Sequence, residues 1–159
     1  MVKAGILTVS DMGSKGKRED TAGARLKEIF ESRGWATDRY AIVPDEKDAI
    51  RDKLIAWSDR DGLDIICTTG GTGFADRDIT PEATVEVVEK QVPGIPEAMR
   101  AVGLKKTPMA ILSRAVAGIR GHTLIINLPG SERGAVESIE AVIEAIPHAI
   151  DVIRGKPGH

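Results

Sequence analysis

The chain has 159 residues, with 22 Lys plus Arg against 24 Asp plus Glu and a formal net charge of −2. Hydrophobic residues at 42% and charged residues at 29% match a folded globule, so a disordered chain is excluded. Near-neutral charge and 3% aromatics argue against a nucleic-acid surface, which needs a basic footprint or stacking platforms.

Lys3 to Ser10 is a short apolar run rich in branched residues and predicts a strand. The polar stretch from Asp11 to Asp20 predicts a loop. Ala22, Leu26, Ile29 and Phe30 have helical spacing over Thr21 to Arg33, and Gly34 follows as a stop. A second strand is expected over Trp35 to Val43, ending at Pro44. Asp45 can cap a helix running to about Asp59, with Ile50, Leu54 and Trp57 on one face. Asp64 to Thr69 predicts a compact strand that feeds directly into Gly70-Gly71-Thr72-Gly73. Thr80-Pro81-Glu82 is a helix start by composition, with a hydroxyl cap, an early proline and an early acid. That helix is expected to Lys90, and another from Pro96 to Leu104. Met109 to Ser113 and Thr123 to Leu128 predict two more strands, with Gly118 to His122 a glycine-rich turn. A long helix from Glu132 to Arg154 is expected to kink or break at Pro147.

Strands alternating with helices, and apolar on both faces, predict a three-layer α/β/α sandwich with a mostly parallel sheet. The length favours a single domain over residues 1–159. No apolar run approaches the roughly 20 residues that span a bilayer, and no signal-peptide pattern opens the chain, so no membrane association is expected. Cys67, the single cysteine, can form no intrachain disulfide, which makes cytoplasm the expected compartment.

In a sheet of this kind ligands gather beyond the carboxyl ends of the strands, so four loops carry the search. The richest follows Thr69. Three glycines within Gly70 to Gly73, beside the hydroxyls of Thr68, Thr69 and Thr72, suit either a phosphate cradle or a tight packed turn. Neither a Walker A loop nor a G-x-G-x-x-G fingerprint is present. Asp78 and Asp45 each read as a helix-start acid or as a magnesium ligand, since Mg²⁺ favours one or two carboxylates completed by phosphates and water. Pro129-Gly130-Ser131 enters the last helix and offers a second anion pocket or an ordinary serine cap. Ser10 and Asp11 close the first strand, beside lysines that could attract phosphate or simply face solvent. Ser113 reads as a satisfied hydroxyl or a site residue, and Cys67 as a small core residue. His122, His148 and His159 have no metal-ligand spacing.

The strings TTGGTGFADRDITPEAT and ILSRAVAGIRGHTLIINLPG, with VPDE upstream, resemble the MoaB/Mog family of molybdenum-cofactor biosynthesis proteins. That family includes molybdopterin adenylyltransferases and the gephyrin-type fusion proteins, and the resemblance covers nearly the whole chain. It implies a trimer or hexamer and Mg²⁺-dependent transfer of AMP from ATP to molybdopterin, with pyrophosphate leaving. A separate molybdate-insertion protein would take the product. Asp45 and Asp78 correspond to the family's essential acids, which would hold the metal. Thr69, Gly70, Gly71, Thr72 and Gly73 correspond to its phosphate loop. Ser113 and the turn from Asn127 through Pro129 and Gly130 correspond to further substrate contacts, and Ser10, Asp11 and Ser131 complete the candidate set. A pterin-binding protein without catalysis, or a nucleotide pyrophosphatase, are the alternative functions.

Overall fold

The computed structural model describes residues 1–156, so His159 lies outside the described residues. The strands are β1 (Lys3–Val9), β2 (Ala36–Val43), β3 (Ile65–Thr69), β4 (Lys90–Gln91), β5 (Ala117–Arg120) and β6 (Thr123–Leu128). The helices are α1 (Asp11–Ser14), α2 (Thr21–Ser32), α3 (Lys47–Ile55), α4 (Thr80–Val87), α5 (Gly94–Leu104), α6 (Glu132–Val142) and α7 (Ile146–Ile153). One sheet joins the strands in the order β2-β1-β3-β6-β5-β4. β2, β1, β3 and β6 are parallel; β5 runs antiparallel to β6, and β4 antiparallel to β5.

The period-2 geometry of a strand sends neighbouring side chains to opposite faces. Ile6, Ile65 and Ile126 therefore point to one side, where Leu26, Phe30, Met99, Ile139 and Ile150 of α2, α5, α6 and α7 cover them. Leu7, Ile66 and Ile125 point to the other, against Ile50, Leu54, Ala83 and Val87 of α3 and α4. Each such fully buried aliphatic chain contributes about 1.5–3 kcal/mol. Two cores on one sheet make the expected α/β/α sandwich. The two edge strands depart from two-sided burial, with Asp38, Arg39 and Tyr40 of β2 and both residues of β4 exposed.

Several local expectations are corrected. Met109 to Ser113 is no strand: Pro108–Leu112 is a 3₁₀ turn capped by the Thr107 hydroxyl, which accepts from the Met109 N–H. Its Met109 and Ile111 are exposed, so an apolar run here marks surface, not a buried strand. The stretch read as a glycine-rich turn is a turn only at Gly121-His122, the hairpin connection to β6, while Gly118 to Arg120 belong to β5. A Cβ at Gly118 would sit 2.7 Å from Val88, so that glycine serves close packing; Gly121, with φ +55°, makes the turn. The final helix does break at Pro147, as expected: lacking an N–H for the Ile143 carbonyl, Pro147 ends α6 through the Ile143–Ala145 turn and itself sits in the first turn of α7. β4 and α1 are additions to the expected elements. α3 continues as a single wide turn through Ala56–Arg60. Cys67 is buried at the centre of β3, and burial pushes its thiol far above the usual range, as expected for a core residue.

Candidate active site

After β1 the chain moves outward to β2, then crosses back to lay β3 on the other side of β1. This reversal opens a crevice at the carboxyl ends of β1 and β3. The loop after β3 falls into it and is fastened from several directions. The Gly70 N–H donates to the Leu128 carbonyl at 3.1 Å, and the Thr80 hydroxyl donates to the Gly70 carbonyl at 2.9 Å. Gly70 has φ +103°, and a Cβ there would overlap the Val9 carbonyl oxygen. Gly130 approaches just as closely: a Cβ on it would lie 3.2 Å from the Gly70 Cα. Small residues are therefore required by main-chain contact between three strand ends.

Arg114 holds the far side of the loop. Its Nε donates to the Gly73 carbonyl at 2.8 Å, one Nη to the Asp78 carbonyl at 2.6 Å, and the other Nη to Glu82 at 2.7 Å. Thr80, expected to cap α4, is instead its first residue. Ile79 occupies the cap position without a side-chain bond. Asp45 likewise does not cap α3, where Glu46 stands in the cap position, also without a side-chain bond.

What Asp45 does is pair with Asp11 across the ends of β2 and β1. The Asp11 N–H donates to Asp45 Oδ2 and the Asp45 N–H donates to Asp11 Oδ1, both at 2.9 Å. Arg77 then places its fork on Asp11, donating from Nε at 2.9 Å and Nη2 at 2.8 Å. The Arg77 bonds, followed by the Asp45 N–H, hold the Asp11 carboxyl down at about 2. Asp45 moves the opposite way. Burial raises it first, and the neighbouring Asp11 and Asp78 carboxylates raise it further. Asp78 accepts from the Ala75 N–H at 3.0 Å through Oδ2, which would lie 2.8 Å from a Cβ at Gly73. The two candidate acids thus flank the glycine loop: Asp45 at Gly71, where Oδ1 would lie 3.2 Å from a Cβ, and Asp78 at Gly73.

Two clefts meet at this loop. One, of about 500 Å³, is lined by Ser10, Asp11, Asp45, Thr69, Gly70, Gly71, Asp78 and Gly130. The other, of about 350 Å³, is lined by Thr72, Gly73, Ser113 and Pro129 with Met99 and Arg100. Ser131 faces both while its hydroxyl caps α6, accepting from the Gly134 N–H at 3.0 Å. Ser113 is therefore separated from the two acids by the loop. Asn127 lines neither cleft. It is fully buried, donating to Thr68 and Thr84 at 3.0 Å each and accepting from the Val116 N–H at 3.2 Å. Its amide is consumed in tying β6 to β3 and α4. Sequence reasoning missed Arg77 and Arg114 as organisers; their partners are distant in the chain.

Among the described residues no group of three or more His, Cys, Asp or Glu converges as a metal cage. The carboxylates of Asp45 and Asp78, beside the arginine-paired Asp11 on the same cleft, suit a divalent cation whose remaining ligands come from phosphate and water.

A six-stranded, mostly parallel sheet with a glycine loop and acids at its switch point places the site where open α/β folds bind their ligands. The model of the probable molybdopterin binding domain matches residues 5–148, and the chain belongs to that family. It is 47% identical over 156 residues to a molybdopterin adenylyltransferase of Helicobacter pylori strain J99, covering 97% of this chain and 89% of that one. The crystal structure of the molybdopterin biosynthesis enzyme MoaB from Thermus thermophilus superposes with a TM-score of 0.93 at 53% identity over both full chains. The tungsten cofactor synthesizing protein MoaB from Pyrococcus furiosus superposes at 0.85 with 35% identity, covering 96% of this chain and 97% of that one.

Proposed function

We propose that this chain transfers AMP from ATP to molybdopterin, giving adenylylated molybdopterin and pyrophosphate. The observation that carries the reading is the pair Asp45 and Asp78 on one cleft, flanking the Gly70 to Gly73 loop. The curated relative from Helicobacter pylori bears the name of that activity at 47% identity.

An oxygen of the terminal phosphate of molybdopterin attacks the α-phosphorus of ATP, and the bond from that phosphorus to the pyrophosphate oxygen breaks. Such a reaction asks a protein for alignment and charge neutralisation, not for a side-chain nucleophile. A magnesium ion held by Asp45 and Asp78 would supply neutralisation of the pyrophosphate as it leaves. The loop from Thr69 to Gly73 gives the phosphates a backbone surface without side chains in the way. Adjacent clefts on either side of that loop suit two substrates that must meet at it. Arg114 keeps the loop's shape, and Arg77 pairs with Asp11 and leaves Asp45 and Asp78 to the cation.

The proposal extends to assembly and setting. Met109 at 64% and Ile111 at 62% exposure put apolar surface on the Pro108–Leu112 turn, which favours a homo-oligomer; the family resemblance is what suggests a trimer or hexamer. A cytoplasmic reaction is assigned, with a molybdate-insertion protein consuming the product. No helix among the described residues is long and apolar enough to cross a membrane.

The test is incubation with molybdopterin, magnesium and ATP labelled in its α-phosphate. Label is expected in the pterin, with one pyrophosphate released per AMP transferred. Pterin binding without pyrophosphate release, while a working adenylyltransferase labels its product in parallel, would contradict catalysis. Nucleotide hydrolysis without pterin would point to a pyrophosphatase instead.

A further inference from the structure

We propose that Arg77 is a positioning residue of this site, acting through Asp11 to hold Asp45 over the glycine loop. Only the kinetic arm of this inference rests on the adenylyl-transfer reading.

The geometry is a chain of shared groups. Asp11 is two residues past the end of β1, and Asp45 two residues past the end of β2. Their reciprocal backbone-to-carboxylate bonds close a ring between those ends. Both Asp11 oxygens are then taken by the Arg77 fork, which reaches across from the loop that carries Asp78. The same Asp11 carboxyl therefore belongs to the ring and to the fork. Fixing its plane fixes the Asp45 main chain, and with it the direction of Asp45 Oδ1 toward Gly71. Arg114 ties the opposite flank of the loop through main-chain carbonyls. Arg77 thus sets the separation of the two acids from the outside, while Arg114 sets the loop from within.

Stability does not explain this arrangement. The Arg77 side chain is 58% exposed, and pairs in solvent contribute little to folding. A bidentate fork gives directional control that a lysine point charge does not. Displacement of a reacting group by about 1 Å can lower turnover about a hundredfold, so an exposed pair can matter greatly to rate.

The experiment compares Arg77→Ala, Asp11→Asn and the double variant in the full chain. In ligand-free protein, amide hydrogen exchange at Asp11 and Asp45 is expected to accelerate about tenfold or more in Arg77→Ala, with the amides of Ile65–Thr69 unchanged. The kcat is expected to fall by a factor of about 10–100, with KM for ATP within about threefold. Because both residues act through one carboxyl, the double variant should lose no more than about twofold beyond the worse single variant. Unchanged exchange at the two amides would overturn the proposal. So would losses that multiply, or a rise in KM alone, since those place Arg77 on the nucleotide itself. Should the unaltered protein transfer no AMP, the adenylyl-transfer reading falls, and the exchange comparison still decides the role of Arg77.

Discussion

Replacing Asp78 by Asn is expected to lower kcat for AMP transfer at least about a hundredfold while leaving the fold intact. The reasoning begins with what the substitution keeps. An asparagine carbonyl can still accept from the Ala75 N–H, so the turn at the head of α4 survives. The Asp78 backbone carbonyl remains bound by Arg114. What disappears is one negative charge facing the cleft that it shares with Asp45. A carboxylate that helps hold a cation against a leaving pyrophosphate acts mainly in the transition state, so the loss belongs in kcat. Steady-state kinetics with circular dichroism as the folding control makes the check. A near-normal kcat would remove Asp78 from the chemistry.

The largest effect on stability is expected from Gly70→Ala, at about 3 kcal/mol or more. Two penalties coincide there. The residue holds φ +103°, where side chains are rarely found, and its new Cβ would overlap the Val9 carbonyl oxygen. That obstacle is main chain of a central strand, so no rotamer change relieves it. The loop would have to lift, breaking the Thr80 bond to the Gly70 carbonyl and shifting the phosphate surface. Activity should fall with stability. Gly16→Ala is the comparison: it also has positive φ, at +70°, but nothing lies within 4 Å of the new Cβ. That variant should cost only about 1–2 kcal/mol, and the AMP-transfer rate should be retained. Urea denaturation of both proteins measures the difference, and equal losses would contradict the close-contact argument.

The parts of the fold that the sequence disclosed are those where one force dominates. β1, β3 and β6 are buried on both faces, so their apolar runs are unambiguous. β5 was hidden because Gly118, a turn signal by type, serves tight packing against Val88. The 3₁₀ turn at Pro108–Leu112 imitated a strand because its apolar residues lie on the surface. At the site, the glycine loop and the acid at Asp78 stood out through local pattern. Asp45 was harder, since the residue types that cap helices are also those that bind metals; the cap reading falls because Glu46 takes the cap position while Asp45 accepts from the Asp11 N–H. Arg77 and Asp11 are 66 positions apart, and no local pattern announces such a pair. Asn127 shows what a motif leaves unsaid: its side chain is a buried tie between strands and helix, which only the long-range contacts disclose.

The central claim is that a metal-bound triphosphate lies between Asp45 and Asp78 on the Gly70 to Gly73 backbone. A crystal structure with magnesium and a non-hydrolysable ATP analogue tests it most directly. The expected density has the phosphates over the glycine loop, with the cation bridging them to both carboxylates. Phosphates bound elsewhere, with the two acids turned away from them, would contradict it.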